Sequence, residues 1–114
     1  MPGHLLECAV FTELQRRQME IAWVHTPAGY EVDFLARDPH GGAFLIQVCA
    51  DPDDSATLFR EARALEDAAR VFPTARKFLL IAHSRLPKPA VPHGIEVLTT
   101  WQWMIGPSPQ EGKM

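Results

Sequence analysis

The stretch Ala43-Phe44-Leu45-Ile46-Gln47-Val48-Cys49 decides how this chain folds. Gln47 is its only side chain with a strongly polar group, and such apolar runs are typical of strands buried on both faces of a sheet. Pro39-His40-Gly41-Gly42, directly before it, has the composition of a hairpin turn. Asp51-Pro52-Asp53-Asp54-Ser55, directly after it, offers several helix N-caps. The stretch therefore predicts a central strand that follows a hairpin and precedes a helix.

The spacing of apolar residues extends this prediction along the chain. It predicts helices over residues 4–17, 57–72 and 100–105, and strands over residues 21–24, 30–37, 43–49, 78–82 and 95–98. The first three strands are expected to form an antiparallel meander, and the long helix after them predicts a parallel, right-handed crossover. Residues 86–92 are expected to form a loop. The sequence thus predicts an α/β fold of order α-β-β-β-α-β-β, a mixed sheet with a helix on either face. This fold is expected in one domain over residues 1–105, with a polar tail over 106–114.

Composition and charge limit the classes of function. At 114 residues, 46% hydrophobic and 22% charged, the chain is expected to be a single globular domain. Its net charge of −3 argues against a strongly basic nucleic-acid binder. The two cysteines fit a reducing cytoplasm better than a disulfide scaffold. No charged leader precedes an apolar run, so we expect no signal peptide, no membrane span and a cytoplasmic location. The abrupt opening Met1-Pro2-Gly3 is typical of a fragment or of the end module of a longer protein.

Three polar residues stand where chemistry is expected. Glu7 lies in the first turn of the first helix, where the helix dipole favours an acid whether or not it binds metal. Asp33 lies in an otherwise apolar strand, which disfavours aspartate, so it is either a metal ligand or a buried hydrogen-bonding group. Gln47 on the central strand is better explained as a satisfied core amide than as a ligand.

Two further patterns have plainer explanations. Cys8 and Cys49, taken with His4 or His25, fit no closed zinc pattern, and cysteine is among the residue types most often buried. Trp101 and Trp103 could stack on nucleic-acid bases. Their spacing on a short terminal helix instead favours one core anchor and one partly exposed ring.

The element order and four motifs resemble the PD-(D/E)XK nuclease superfamily, which has the restriction-endonuclease-like fold. The resemblance is closer to the C-terminal domain of unknown function that follows the ATPase motor in many bacterial and archaeal AAA-type ATPases. The motifs, which span almost the whole chain, are Gly3-His4-Leu5-Leu6-Glu7, Tyr30-Glu31-Val32-Asp33-Phe34, Leu45-Ile46-Gln47-Val48-Cys49 and Trp101-Gln102-Trp103. The sequence has no G-x-x-x-x-G-K-[ST] motif, so any ATPase activity would come from another chain.

The resemblance implies a metal-dependent phosphodiesterase site that is incomplete. In the superfamily, carboxylates hold Mg²⁺ beside the scissile phosphate and a lysine stabilises the developing charge. Glu7 matches the helix acid, and Asp33 matches the main metal-binding acid. Gln47 stands in the place of the second acid, and Cys49 stands in the place of the lysine. A neutral amide would weaken metal binding, and a thiol cannot replace an ammonium, so the resemblance implies an impaired catalytic set with weak or no Mg²⁺ binding.

Three functions remain open at this point. The first is a non-catalytic binding or accessory module that serves a partner ATPase or its nucleic-acid substrate. The second is an active Mg²⁺-dependent DNA or RNA nuclease with an altered motif, in which Arg60 or Arg63 supplies the missing cation; the helix-surface interpretation of these arginines is the stronger one. The third is an isolated remnant that folds and dimerises without its motor. The candidate partners are therefore an ATPase domain or protein, nucleic acid or a second copy, and not a membrane.

Overall fold

A computed structural model describes residues 2–83 and 90–106, with side chains from His4 onward. Its elements are α1 (Pro2–Arg16), β1 (Glu20–His25), β2 (Glu31–Arg37), β3 (Ala43–Cys49), α2 (Ser55–Val71), β4 (Arg76–Ile81), β5 (Ile95–Thr99) and α3 (Thr100–Ile105). Every predicted helix and strand is present, and each boundary lies within two residues of its predicted position. Most of the predicted loop over 86–92 and of the predicted tail over 106–114 lies outside the described residues.

The five strands form one mixed sheet in the order β1-β2-β3-β4-β5. The strands β1, β2 and β3 pair antiparallel, which confirms the predicted meander. The strand β3 pairs parallel with β4, and β4 pairs parallel with β5. The chain crosses from β3 to β4 through α2, so the parallel pairing expected for that connection is also confirmed.

A helical layer covers each face of the sheet, as the sequence predicts. The helix α2 packs on one face, where Leu65 meets Leu45 and Leu79 in one buried cluster. The helices α1 and α3 pack on the other face, where Leu14 and Trp103 belong to a second cluster. Full burial of each large apolar side chain contributes about 1.5–3 kcal/mol, so these two clusters carry much of the stability of the sheet.

The strand β2 contains an irregularity that the sequence does not predict. Ala22 pairs with Leu35 but Val24 pairs with Val32, so two steps along β1 correspond to three steps along β2. This is a β-bulge. Val32 therefore packs on the α2 side and Phe34 on the α1 side, although simple alternation would put them on the same face. The alternation of the sequence predicts that Leu35 shares a polar face of β2 with Glu31 and Asp33; this prediction is wrong, because Leu35 is buried.

Arg17 ties the end of α1 to the end of α3. Its Nη2 donates to the carbonyl oxygens of Trp103 at 2.8 Å and Gly106 at 3.2 Å, and its Nε donates to Glu13 Oε2 at 2.7 Å. The guanidinium also lies 4.6 Å from the centroid of the Trp103 ring. Hydrogen bonds from Arg16 and from Arg17 lower the pKa of Glu13 to about 2, against the opposing effect of burial. Trp103 is thus the predicted core anchor of α3.

The helix α1 ends in a Schellman motif that has glutamine in the position usually taken by glycine. Met19 N donates to Leu14 O at 3.2 Å, Gln18 N donates to Gln15 O at 2.9 Å, and Gln18 has φ +60°. We expect Gln18→Gly to raise the free energy of unfolding by roughly 0.5–1 kcal/mol, because glycine adopts this conformation without a steric cost. Urea denaturation measures it. Gln15→Gly, one turn earlier with ordinary helical geometry, is the control and should lower stability by about 1 kcal/mol. A loss of stability in Gln18→Gly would contradict the prediction.

Candidate functional site

The strands β2 and β3 separate at one end of the sheet, and the side chain of Gln47 fills the gap. Their backbone pairing stops at Phe34 and Ile46. Beyond that point Gln47 Oε1 accepts a hydrogen bond from Asp33 N at 2.8 Å, and Gln47 Nε2 donates to Glu31 O at 3.1 Å. The amide therefore bonds to one backbone donor and one backbone acceptor of β2, in place of part of the missing ladder. Gln47 is buried, and its position agrees with the expectation of a satisfied core amide.

Asp33 completes the bridge in the opposite direction. Val48 N donates to Asp33 Oδ2 at 2.9 Å, so the carboxyl group bonds to the backbone of β3. Burial raises the pKa of Asp33 to about 6, the hydrogen bond from Val48 opposes this rise, and the charges of Glu7, Glu61 and Glu31 add to it. Asp33 therefore keeps its proton up to a pH about two units higher than a carboxyl group in water does. Such a raised pKa is typical of half-buried acids at functional sites.

Glu61 on α2 is the acid at this site that the sequence argument did not identify. Burial raises the pKa of Glu61, and repulsion from Glu7 raises it further. The ion pair with Arg60, at 3.7 Å from Arg60 Nε to Glu61 Oε1, lowers it, and so does the nearby amide of Gln47. The Gln47 side chain, which hydrogen-bonds to β2, thus also lies close to a carboxyl group of α2.

A weak signal in the sequence could have identified Glu61. It precedes Ala64 by three residues and Leu65 by four, and both of these side chains are buried. Residues three and four apart share a face of a helix, so Glu61 lies at the border of the buried stripe rather than in the middle of the solvated face.

The polar groups line a cleft of about 390 Å³ between the sheet and α2. Its lining residues are Gly29, Tyr30, Glu31, Asp33, Gln47, Arg60, Glu61 and Ala64. The predicted order of the elements leads us to expect the carboxylates at the sheet's edge, where α1 crosses β2 and β3. That location is wrong, because β2 and β3 are interior strands and α2 lines the cleft.

Glu7 acts on the cleft from outside it. Its charge raises the pKa of both Asp33 and Glu61, so its carboxylate is close enough to repel theirs. Within the described chain, however, no hydrogen bond joins Glu7 to either group, and Glu7 is not one of the residues that line the cleft. Asp33 and Gln47 are thus joined by a hydrogen bond, whereas Glu7 influences the cleft only through its charge.

Cys49 lies in the hydrophobic core rather than in the cleft. Its side chain is about 1% exposed and belongs to the cluster under α2. Burial raises the pKa of the Cys49 thiol to about 11. Cys49 is therefore a neutral thiol at pH 7, and it supplies no positive charge in the place where the resemblance expects a lysine.

The two arginines proposed as substitute cations lie on different parts of α2. Arg60 is among the residues that line the cleft, next to Glu61. Arg63 lies on the outer side of α2, where it lines a separate groove with Glu66 and Arg70. Arg63 is therefore not placed to act in the cleft, in agreement with the helix-surface interpretation that the sequence favours.

The cleft has fewer charged ligands than a typical metal site. Among residues 2–83 and 90–106, no group of three or more His, Cys, Asp or Glu side chains is arranged to hold a metal ion. Asp33 and Glu61 both have a raised pKa, so any cation that binds here competes with protons. The carboxyl groups of the cleft therefore keep their protons to a higher pH than carboxyl groups in water.

The fold and the site together define an α/β protein with a five-stranded mixed sheet and a cleft that contains carboxyl groups. No family model, curated protein or solved structure matches the chain. In the part of the chain that the structure describes, every helix is too short or too polar to cross a bilayer.

Proposed function

We propose that this chain is a nuclease-like domain of the restriction-endonuclease type whose catalytic set is impaired, and that it serves an ATPase system as a non-catalytic binding or accessory module. The amide of Gln47 is the observation that carries the proposal. It accepts from Asp33 N and donates to Glu31 O. A carboxylate in its place could accept the first of these hydrogen bonds but could not donate the second. Position 47 therefore suits a structural amide better than a metal-binding acid.

The lack of an available cation supports the same proposal. Phosphoryl transfer requires positive charge near the reacting phosphate, and loss of such a group commonly lowers the rate by orders of magnitude. Cys49 is a buried neutral thiol. Among the described residues that line the cleft, Arg60 is the one cation, and it is already paired with Glu61.

The alternative is an active Mg²⁺-dependent nuclease in which α2 supplies the missing groups. Glu61 would then replace the second acid and Arg60 would replace the lysine. The position of Glu61 beside Gln47 in the cleft favours this alternative, because it places a carboxyl group next to the position where the family has its acid. Asp33 and Glu61 would provide oxygen ligands of the kind that Mg²⁺ prefers.

Nuclease assays distinguish the two functions. We expect no cleavage of supercoiled, linear or single-stranded substrates in Mg²⁺ or Mn²⁺. The alternative would be established instead by cleavage that disappears in both Asp33→Asn and Glu61→Gln but persists in Arg63→Gln. Arg63 is the matched control, because it lies on the same helix but outside the cleft. Cleavage that survives in all three variants would indicate a contaminating nuclease.

Partial restoration of the motif is the second arm of this experiment. Gln47→Glu adds a charged ligand, so calorimetry should show Mg²⁺ binding at least tenfold tighter than in the unmodified chain, while cleavage remains absent. An unchanged affinity would mean that Asp33 and position 47 cannot share a metal ion. Cys49→Lys is less informative, because it would place an ammonium in the core, where Cys49 is about 1% exposed.

A further inference from the structure

A second cavity, of about 240 Å³, lies on the face of the sheet opposite to the acidic cleft. It is bounded by the end of α1, by α3 and by the sheet, with Phe44, Phe78, Leu14, Leu98 and Trp103 among its apolar lining residues. It exists because α1 covers the meander and the short α3 covers the parallel strands, which leaves a gap between the two helices. The cavity has no role in the function proposed above, and no lining residue is common to both sites.

Two guanidinium groups and one carboxylate line the cavity together with these apolar residues. Arg76 is half exposed, lies 5.1 Å from the centroid of the Phe78 ring, and pairs with Glu96. The side chain of Arg17 is only 6% exposed. Among the described residues that line the cavity, the charged ones are thus two cations, Arg17 and Arg76, and one anion, Glu96.

Arg17 has donor capacity beyond its role in holding α3. Within the described chain, Arg17 Nε donates to Glu13, and Arg17 Nη2 donates to carbonyl oxygens at the end of α3. Its Nη1 takes part in none of these hydrogen bonds, and the side chain lines the cavity. A guanidinium presents parallel donors that match a carboxylate, and a buried donor without an acceptor is destabilising. An anion in the cavity would provide that acceptor.

We propose that this cavity binds a small monocarboxylate with an apolar chain or ring. The apolar body packs on Phe44 and Phe78, and the carboxylate lies against Arg17 and Arg76. A cavity of this volume holds roughly ten to twelve non-hydrogen atoms, and apolar pockets with a few convergent polar groups are typical of small-molecule sites. Octanoate and 3-phenylpropanoate are of this size, and they distinguish a fatty-acid source from an aromatic-acid source.

Titration with these two acids, followed through the three tryptophan indole N–H signals in ¹⁵N-labelled protein, tests the proposal. Trp103 lines the cavity, whereas Trp23 is 61% exposed, Trp101 is 59% exposed, and neither lines it. At least one acid should shift the Trp103 signal with saturation at a dissociation constant of roughly 0.1–1 mM, while the other two signals stay unchanged. The matched neutral probe, 1-octanol, should bind about tenfold more weakly than octanoate, because it lacks the charge.

Two exposed charges give opposite effects and leave the fold intact. Arg76→Gln should weaken binding of the acid roughly tenfold, and Glu96→Gln should strengthen it, because Arg76 loses its competing partner. Neither change should alter octanol binding, and Arg70→Gln on the outer side of α2 should alter neither. Equal affinity for octanoate and octanol, equal shifts of all three indole signals, or no saturation with either acid at several millimolar would each overturn the proposal.

Discussion

Arg17→Met is expected to lower the free energy of unfolding by about 3–5 kcal/mol at pH 7. The side chain of Arg17 is 6% exposed, and its loss would leave Glu13 with a single cation partner. It would also leave carbonyl oxygens at the end of α3 without their donor, among them those of Trp103 and Gly106. Breaking a buried ion pair on one side has this large effect, because the remaining charge and polar groups stay buried without partners. Urea denaturation followed by circular dichroism measures the loss.

Arg16→Met is the matched control for this prediction. Arg16 Nη2 also donates a hydrogen bond to Glu13 Oε2, at 2.6 Å, but the side chain of Arg16 is 69% exposed. Exposed pairs of this kind contribute about 0–1 kcal/mol, so this variant should lose no more than that.

The effect of Arg17→Met should also depend on pH. The pKa of Glu13 is lowered to about 2, so its favourable interactions are fully present above pH 4.5, its ordinary pKa. They are lost as the pH falls towards 2, and the gap between the Arg17→Met variant and the unmodified protein should narrow over that interval. Equal losses of stability in the two variants would contradict the conclusion that Arg17 holds the end of α1 to the end of α3.

The elements were predictable because their signals are local. The uninterrupted apolar run over β3 and the turn before it need no tertiary information. The same is true of α3, whose Thr99 and Gln102 form a capping box with reciprocal hydrogen bonds. Even the division between Trp103, which is buried, and Trp101, which is 59% exposed, follows from the spacing on one helix. The meander and the parallel crossover followed from the lengths of the connections between strands.

The geometry of the site was not predictable, because it depends on pairing across strands. The bulge in β2 changes the face on which Val32 and Phe34 lie, and it is defined only by the register with β1. Gln47 could be recognised as a core amide, but its partners on β2 depend on where the β2–β3 ladder ends. Helical spacing puts Glu61 at the border of the buried stripe of α2, but only the packing of α2 on the sheet shows that Glu61 lines the cleft and that Arg63 lines a different groove.

The second large effect is expected at Asp33. At pH 8, Asp33→Asn should raise the free energy of unfolding by about 2 kcal/mol, after allowance for the solvent that reaches this half-buried group. The pKa of Asp33 in the folded protein is about 6, above its ordinary value of 3.8, so the ionised form is disfavoured in the folded state. Asparagine resembles the protonated acid, and its carbonyl oxygen can still accept the hydrogen bond from Val48 N.

The dependence of this gain on pH follows from the direction of the shift. Well below pH 3.8, Asp33 is protonated in both the folded and the unfolded chain, so the variant and the unmodified protein should have the same stability. As the pH rises from 4 to 6 the unfolded chain ionises first, and the unmodified protein loses stability that the variant keeps. The gain should therefore appear between pH 4 and 6 and remain constant above that.

Glu31→Gln is the control, because Glu31 is exposed and also lines the cleft. It should change stability by no more than about 0.5 kcal/mol at any pH. Denaturation curves for both variants at pH 4, 6 and 8 suffice for the test. A gain in Asp33→Asn that is the same at all three pH values would show that burial of a charge is not its cause. A loss at pH 8 would mean that ionised Asp33 stabilises the bridge between β2 and β3, and that its pKa in the folded protein is below the ordinary value rather than above it.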